Sequence, residues 1–255
     1  MPIPKFRLFA GPNGSGKTFV FKKFKNEKII HTEVYVNADR IESQIRKSGK
    51  FSFNSYRVKV DNTDFREHIN KSGLFLAKIK DPLFIKNFRI KSGILHISGT
   101  VKINSYHASF IATYLVEKLF ESGQSFAFET VMSHPSKVEL IDQAKSLGFK
   151  TYFYFIFADN LNTNLTRVAL RVLEGGHNVP PELTTSRAPK VFKLLPQAFA
   201  AADSAFVIDN SFEATAILLK EEGILHKADE FPKIIRQAAE KIIKSFPGKI
   251  ENLSA

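Results

Sequence analysis

The chain has 255 residues, of which 37 are Lys or Arg and 25 are Asp or Glu, so its formal net charge is +12. A chain of this length can bury one large core, because proteins of this size remove roughly 70 to 75% of their unfolded surface from water. It has no cysteine, which excludes disulfide bonds and thiolate metal sites. The N-terminus enters a predicted strand almost at once, and no apolar run approaches the ~18 residues of a membrane span. We therefore expect a soluble cytoplasmic protein without a signal peptide or membrane segment.

Two interpretations of the positive charge stay open at this stage. The charge favours anionic partners such as nucleotides, nucleotide sugars, nucleic acid or an acidic protein, but much of it also fits solvated lysine side chains. The 25 phenylalanines are easier to interpret, since most fall in strand-like runs such as Phe126-Ala127-Phe128. Such runs are typical of a packed core and not of a surface that stacks on bases.

One stretch matches the phosphate-binding pattern G-x-x-x-x-G-K-[ST], and its residues are Gly11, Pro12, Asn13, Gly14, Ser15, Gly16, Lys17 and Thr18. An apolar run at 6–10 precedes it, and residues 19–24 follow it at helical spacing. Glycines lack a Cβ, so the backbone can take positive φ and turn N–H groups toward a phosphate at a helix N-terminus. In this pattern Lys17 reaches the β- and γ-phosphates, and the Thr18 hydroxyl ligates Mg²⁺. The stretch predicts a site for ATP or GTP with Mg²⁺.

A short apolar run at 33–37 predicts a second strand, and Asp39 follows it. Ligands of open α/β sheets bind at the carboxyl ends of the strands, so Asp39 is a candidate base for the proton of an attacking hydroxyl. A second interpretation is that Asp39 only caps a helix over residues 40–47.

The alternation of strands and helices breaks down between residues 49 and 104. A helix is predicted from Asp61 to Ser72, and a hairpin over residues 88–90 and 94–97. We therefore expect a P-loop kinase core formed by residues 1–48 and 105–255, with an inserted α+β module at 49–104 on the substrate or partner side.

Regular alternation returns at residue 105. The predicted elements are a helix at 106–120, a strand at 125–130, a helix at 135–147 capped by Ser133, a strand at 150–158, a helix at 162–173, a helix opened by Pro180 and Pro181, a strand at 205–210, a short mixed stretch at 218–226 and a helix at 231–246. This order predicts an α/β fold with a P-loop NTPase-type parallel sheet flanked by helices.

Two acids follow apolar strands at the predicted ligand edge, namely Glu129 and Asp159, and periodicity does not separate them as the Mg²⁺-side acid. Arg167 and Arg171 lie four residues apart, hence on one helix face, where they could clamp a transferring phosphoryl group. The alternative for this pair is an ordinary solvated face. Arg187 lies near the start of the next predicted helix.

Several motifs together resemble the zeta-toxin family of P-loop kinases. They are residues 11–18, Asn37-Ala38-Asp39, Phe126-Ala127-Phe128-Glu129-Thr130, Arg167-Val168 with Arg171-Val172, Gly175-Gly176-His177-Asn178-Val179-Pro180, and Asp209-Asn210-Ser211. Their order and spacing cover residues 3 to about 212, with the interruption at 49–104. The resemblance implies an ATP-dependent kinase whose characterised members phosphorylate a sugar hydroxyl of a uridine-diphosphate N-acetyl amino sugar and are blocked by a cognate antitoxin.

Carried over by position, the resemblance implies roles for individual residues. Lys17 and Thr18 hold phosphates and Mg²⁺, and Asp39 becomes the general base. Glu129 and Thr130 fall where the family contacts its acceptor, which favours Glu129 over Asp159 as the site acid. Three arginines fall where the family neutralises the transferring phosphate: Arg171, Arg187 and, with a weaker match, Arg167. The insertion replaces a part of the chain that helps to shape the acceptor pocket, so the resemblance does not fix the acceptor.

Two other functions stay open from the sequence. The protein could be a polynucleotide kinase, since that activity also needs a hydroxyl acceptor and a cationic pocket. It could also be a nucleotide-dependent module whose basic insertion binds nucleic acid or a protein. The sequence contains no motif that distinguishes ATP from GTP.

Overall fold

The computed structural model describes residues 2–173 and 180–253, apart from the side chain of Arg171. In chain order its elements are β1 (Lys5–Ala10), α1 (Lys17–Asn26), β2 (Tyr35–Asn37), α2 (Ala38–Ser48), β3 (Lys50–Ser52), α3 (Asn62–Lys71), α4 (Pro82–Asn87), β4 (Phe88–Lys91), β5 (Ile94–Ile97), α5 (Ser105–Ser122), β6 (Phe126–Thr130), α6 (Ser136–Ser146), β7 (Lys150–Phe157), α7 (Leu161–Leu173), α8 (Pro181–Ala201), β8 (Ser204–Asp209), β9 (Thr215–Glu221), β10 (Ile224–Lys227), α9 (Lys233–Ser245) and β11 (Lys249–Asn252). A 3₁₀ turn spans Asn54–Tyr56 and a π-helical turn spans Phe75–Ile79.

The chain forms two compact units. The first comprises the described residues of Met1–Glu33 and Phe126–Ala255, and the second comprises Val34–Ser125. The segment at 49–104 lies within the second unit, which also contains β2, α2 and α5. The boundaries that the sequence predicts for the core and the insertion stay a prediction.

The first unit is built on a mostly parallel sheet. Its strands lie in the order β11-β10-β9-β8-β7-β1-β6. The four strands from β8 to β6 are all parallel, whereas β9 pairs antiparallel with both β8 and β10. Helices α1 and α6 contact β1, and α8 contacts β7 and β8, so helices cover the sheet. The α/β fold with a P-loop-type parallel sheet is confirmed.

Aromatic side chains fill the core of this sheet. Phe9 of β1 stacks on Tyr154 of β7 with 4.5 Å between ring centroids, and Tyr154 stacks on Phe206 of β8 at 4.8 Å. On the other face of β1, Phe6 contacts Phe126 at 5.0 Å. Stacking across adjacent strands fixes their register, because each ring needs its neighbour directly opposite. The strand phenylalanines therefore belong to the core, as their sequence pattern predicts.

Two details of this unit differ from the sequence prediction. Residues 215–227 form a β-hairpin, where the sequence predicts only a short mixed stretch at 218–226. Its two-residue turn places Glu222 at φ 49° and Gly223 at φ 79°. Such a turn needs positive φ at both positions, which glutamate rarely adopts. The sequence therefore lacks the Asn-Gly or Asp-Gly pair that usually indicates a two-residue hairpin turn. Ser133 is not the cap of α6, because that helix begins at Ser136 with Pro135 at the N-cap position.

The second unit combines a small antiparallel sheet, in the order β3-β5-β4, with helices. The β4–β5 hairpin and the α3 helix appear where the sequence predicts them. Phe65 of α3 is fully buried and makes an edge-to-face contact with Tyr114 of α5 at 4.9 Å. The Tyr114 hydroxyl donates to the Asp64 carboxylate at 2.5 Å, and Lys118 lies 2.8 Å from the same carboxylate. The buried contact between Phe65 and Tyr114 shows that this unit has its own aromatic core.

A polar clamp joins the starts of β7 and β8 in the first unit. The Asp203 carboxylate accepts hydrogen bonds from the backbone N–H and the hydroxyl of Thr151, both at 2.8 Å. Partial burial raises the pKa of Asp203, but these hydrogen bonds and the ion pair with Lys145 outweigh it and hold the pKa below its ordinary value. The charged form of Asp203 therefore stabilises the fold.

We expect Asp203→Asn to lower the free energy of unfolding by about 1 kcal/mol at neutral pH, because a neutral acceptor replaces a charged one at a partly exposed site. The folded-state pKa lies below the unfolded-state value, so this contribution is present above about pH 4 and is lost as the pH falls through the folded value. Urea titrations from about pH 7 to pH 2 measure it. Asp142→Asn, on the exposed side of α6, controls for the change in charge. A difference from wild type that stays constant at acid pH would contradict the prediction.

Candidate nucleotide-binding site

The loop between β1 and α1 has the backbone of a phosphate-binding turn. Gly11, Gly14 and Gly16 have φ values of 148°, 77° and 87°. The buried strand β1 leads directly into this loop, and α1 begins at Lys17, the residue after Gly16. The loop therefore lies at the carboxyl end of a central parallel strand, where ligands of such sheets bind.

The three glycines, which have no side chain, also let this loop pack closely on its surroundings. A Cβ built on Gly11 would overlap the carbonyl oxygen of Ile156 in β7, and one on Gly14 would overlap the carbonyl oxygen of Asn164 in α7. A Cβ on Gly16 would overlap the side-chain amide of Asn210. These three positions need glycine for space as well as for φ.

The N-terminus of α1 suits an anion. Its N-cap residue is Gly16, no side chain of the described residues caps it, and its first turn holds no acid. By contrast, the Asn37 side chain caps α2 and the Asn104 side chain caps α5. The first N–H groups of a helix and its dipole favour negative charge, and a phosphate can take the place of a capping side chain.

Lys17 is held against the loop and does not extend into solvent. Its ammonium donates to the carbonyl oxygens of Gly11 at 3.0 Å and Pro12 at 2.9 Å, and the residue is only 6% exposed. The ammonium thus brings a full positive charge into the loop. The arrangement is suited to phosphate oxygens.

Thr18 and Glu129 form a hydroxyl and carboxylate pair beside this lysine. The Thr18 hydroxyl donates to the Glu129 Oε2 at 2.7 Å, although 111 positions separate the two residues in the chain. Parallel pairing of β1 with β6 brings them together, since Phe9 lies opposite Glu129. Mg²⁺ takes oxygen ligands and is usually held by one or two carboxylates together with phosphates and waters, so the pair fits that ion. In residues 2–173 and 180–253, His, Cys, Asp and Glu form no group of three or more that could hold a metal.

The other predicted acid at this edge, Asp159, has a different environment. It is exposed, and its backbone N–H binds the hydroxyl of Ser211 at 2.8 Å. Of these two acids, Glu129 is the one whose side chain binds the phosphate loop. Thr130 follows it, half-buried, and its hydroxyl accepts from the backbone N–H of Met132 at 3.3 Å.

The loop that follows β8 supports the phosphate loop from the opposite side. Asn210 is 4% exposed, and its side-chain amide donates to the carbonyl of Ser15 at 2.8 Å. Arg167 of α7 donates to the carbonyls of Asn210 at 3.0 Å and Ser211 at 3.1 Å. Arg167 therefore binds this loop in the structure, a role that its helical spacing with Arg171 did not suggest.

The remaining predicted residues have the following positions. Asp39 lies half-buried in the first turn of α2, and the cap of that helix is Asn37, whose Oδ1 accepts from the N–H of Arg40 at 3.2 Å. The interpretation of Asp39 as a mere helix cap is therefore wrong. Arg187 lies half-buried in α8. The Arg171 side chain and residues 175–179 lie outside the described residues, and the convergence of Asp39, Arg171 and Arg187 on Lys17 stays a prediction.

Comparison with known proteins supports this fold. No protein-family profile matches the chain, and no curated protein matches it significantly. Among solved structures, a chain of the AvrRxo1-ORF1:ORF2 complex with ATP matches at 18% identity and a TM-score of 0.54, over 94% of this chain and 63% of that one. The native AvrRxo1-ORF1:ORF2 complex matches at 17% identity and a TM-score of 0.55, over 94% and 64%. A chain from the PezAT toxin–antitoxin system of Streptococcus pneumoniae matches at 12% identity and a TM-score of 0.48, over 96% and 85%.

At this level of identity the likeness concerns the fold. The protein spans just under two thirds of the AvrRxo1 complex chains that it matches. Sheet order and phosphate loop together define the class, which is that of the α/β proteins with a P-loop NTPase-type sheet. Within that class the chain shares its fold with the AvrRxo1-ORF1:ORF2 chains, which agrees with the zeta-toxin-like fold that the sequence resemblance implies. None of the helices in the described part of the chain combines the length and the hydropathy that a membrane span requires.

We expect Gly14→Ala to lower the free energy of unfolding by about 1 to 3 kcal/mol more than Gly148→Ala does. Both glycines have nearly the same φ, 77° and 80°, so both variants carry the cost of a left-handed alanine. Only at Gly14 would the new Cβ meet backbone, while Gly148 faces open space. Urea unfolding of the two variants measures the difference. Equal losses would show that the loop tolerates a side chain.

Proposed function

We propose that this protein is an ATP-dependent phosphotransferase that transfers the γ-phosphoryl group of ATP to an alcohol group of an acceptor. The observation that carries the proposal is the convergence of the glycine loop, the Lys17 ammonium and the Thr18–Glu129 pair at the carboxyl end of β1. Phosphoryl transfer needs positioning and charge neutralisation more than covalent catalysis. A cationic loop beside an oxygen-ligand pair supplies both.

The loop residues have distinct proposed roles. Backbone N–H groups of residues 11–18 and the start of α1 hold the phosphates, and Lys17 neutralises the charge on the β- and γ-oxygens. Thr18, with Glu129 nearby, would hold Mg²⁺, which shields the charge of the phosphates when it is bound. Glu129 and Thr130 are also proposed to contact the acceptor, as the resemblance implies.

On the acceptor side, we assign Asp39 as the general base that orients and deprotonates the hydroxyl. Arg171 and Arg187, with Arg167, are the proposed source of positive charge at the transferring phosphoryl group. The module at 49–104 is proposed to shape the acceptor or partner side. These roles follow the sequence resemblance, and the zeta-toxin-like fold supports them.

For the acceptor we propose a nucleotide sugar of the uridine-diphosphate N-acetyl amino sugar class. The net charge of +12 suits an anionic acceptor of this kind, and it would also suit an acidic antitoxin-like protein partner. The AvrRxo1-ORF1 structures contain the ORF2 protein as a partner. The same charge would serve a polynucleotide acceptor or a binding module without transfer, so the experiment must separate these outcomes.

The test is incubation of the purified protein with γ-labelled ATP, Mg²⁺ and a metabolite extract, followed by separation of the labelled products. Label in a small anionic molecule supports the proposal, and uridine-diphosphate N-acetylglucosamine as the single acceptor tests the proposed class. Label in nucleic acid would make the protein a polynucleotide kinase. Label only in free phosphate, combined with ATP-stimulated and salt-sensitive binding of nucleic acid, would indicate a binding module.

We expect Asp39→Asn to abolish transfer while ATP affinity stays near that of wild type, because the amide can hold the hydroxyl but cannot accept its proton. Single-turnover transfer and calorimetric ATP binding measure the two effects separately. Near-normal transfer by this variant would remove Asp39 from the role of base. Lys17→Ala is the contrasting variant, and it should weaken ATP binding itself.

Arg171→Ala and Arg187→Ala should each slow turnover, by ~10³- to 10⁵-fold for an arginine that contacts the transferring phosphoryl group. Arg171→Lys and Arg187→Lys test geometry, since an ammonium keeps the charge but loses the planar fork. The matched control is Arg236→Ala on α9, which should leave turnover unchanged. A variant with turnover within a few-fold of wild type would exclude its arginine from the transfer step.

A further inference from the structure

Phe212 is an exception to the burial of phenylalanine in this protein. Fully buried rings such as Phe6, Phe9, Phe126 and Phe153 build the core, whereas Phe212 is 97% exposed. A phenyl ring left almost completely in water contributes nothing to the stability of the fold. A single exposed apolar side chain is ordinary by itself. This ring is of interest because of the segment that presents it.

The segment that presents Phe212 is well fixed. The backbone N–H of Asn210 donates to the carbonyl of Phe157 at 2.8 Å, and its side chain donates to Ser15 in the phosphate loop. Ser211 donates through its N–H and its hydroxyl to Asp209 Oδ1, at 2.9 Å and 2.5 Å. Arg167 holds the carbonyls of residues 210 and 211. The ring is thus displayed by a hydrogen-bonded turn that is attached to the phosphate loop.

This turn lies on one particular side of the phosphate loop. In the sheet, β1 lies between β6 on one side and β7 followed by β8 on the other. The Thr18–Glu129 pair is on the β6 side, and the Asn210–Ser15 contact is on the β8 side. If the terminal phosphate of a bound triphosphate lies near Thr18 on the β6 side, residues 210–212 are a described segment attached to the opposite flank of the loop.

We propose that Phe212 is the residue on which the nucleotide base stacks, and that it provides base affinity without base choice. The inference rests on the nucleotide binding proposed above and adds the specificity of that site. Every nucleobase has a π-face, so a single phenyl ring should serve ATP and GTP alike. Arg167, which binds the carbonyls of residues 210 and 211, adds positive charge to the same turn.

Calorimetric binding of three probes tests this inference: a non-hydrolysable ATP analogue, the corresponding GTP analogue and inorganic tripolyphosphate, each with Mg²⁺. We expect Phe212→Ala to weaken both nucleoside triphosphates on the order of 5- to 150-fold, and to leave tripolyphosphate binding unchanged. Phe212→Tyr, which keeps the aromatic face, should bind all three probes like wild type. Phe19→Ala is the matched control, because Phe19 is also exposed, at 59%, but lies on α1 after Thr18.

The outcomes separate this inference from the proposed function. If wild type binds neither nucleotide nor tripolyphosphate, the proposed function fails. If wild type binds all probes and Phe212→Ala binds them equally well, only the stacking role fails. If Phe212→Ala weakens the binding of nucleotides and of tripolyphosphate equally, Phe212 supports the shape of the phosphate loop and does not stack on the base. If nucleotide affinity falls only in Phe19→Ala, the base binds elsewhere. Both results would overturn the inference.

Discussion

Close packing of the three glycines of the phosphate loop against three other segments is the constraint on which the rest of the candidate site depends. Gly11, Gly14 and Gly16 touch, in turn, the backbone of β7, the backbone of α7 and the side chain of Asn210. This packing fixes where the chain turns from β1 into α1, and hence where the first N–H groups of α1 point. A phosphate site made of backbone groups is only as well ordered as the backbone that carries them.

Two side-chain contacts then define the flanks of this turn. Thr18 binds Glu129 on the β6 side, and Ser15 binds Asn210 on the β8 side. The first contact brings together oxygen ligands and the second attaches a loop that carries an exposed aromatic ring. The two contacts make the flanks of the loop chemically different, which is the basis of the orientation that we propose for the nucleotide. Lys17, which binds two loop carbonyls, adds positive charge to the same turn.

Positive charge in this protein is used in two ways. Lys17 and Arg167 are engaged by backbone carbonyls near the loop, whereas many other basic residues lie exposed on helices. The sequence left open whether the charge marks an anionic partner or solvated surface; the exposed basic residues fit the second description, and an anionic partner stays a prediction. The first group is the one placed to act on phosphates at the proposed site, because interactions of exposed charges are screened within about 10 Å at moderate salt.

The elements that the sequence predicted well are those with a strong local signal. The phosphate loop, the alternating core strands and the β4–β5 hairpin each combine an apolar period with turn residues. The failures also have local causes. The β9–β10 hairpin was missed because Glu222 is an unusual residue for a positive-φ turn, and the assignment of Ser133 as a cap ignored that proline can occupy the N-cap position. Asn37 rather than Asp39 caps α2, although both have suitable side chains.

By itself, the sequence determined the fold class, the phosphate loop and the set of candidate acids and arginines, since these depend on residue type and spacing along the chain. Tertiary structure decided which of those residues meet. It selected Glu129 over Asp159 as the partner of Thr18, turned Arg167 toward the 210–211 turn, and brought Asn210 to Ser15 across 195 positions. The physical reason is that strand order and register fix distances between segments remote in the chain, and local periodicity carries no information about that order.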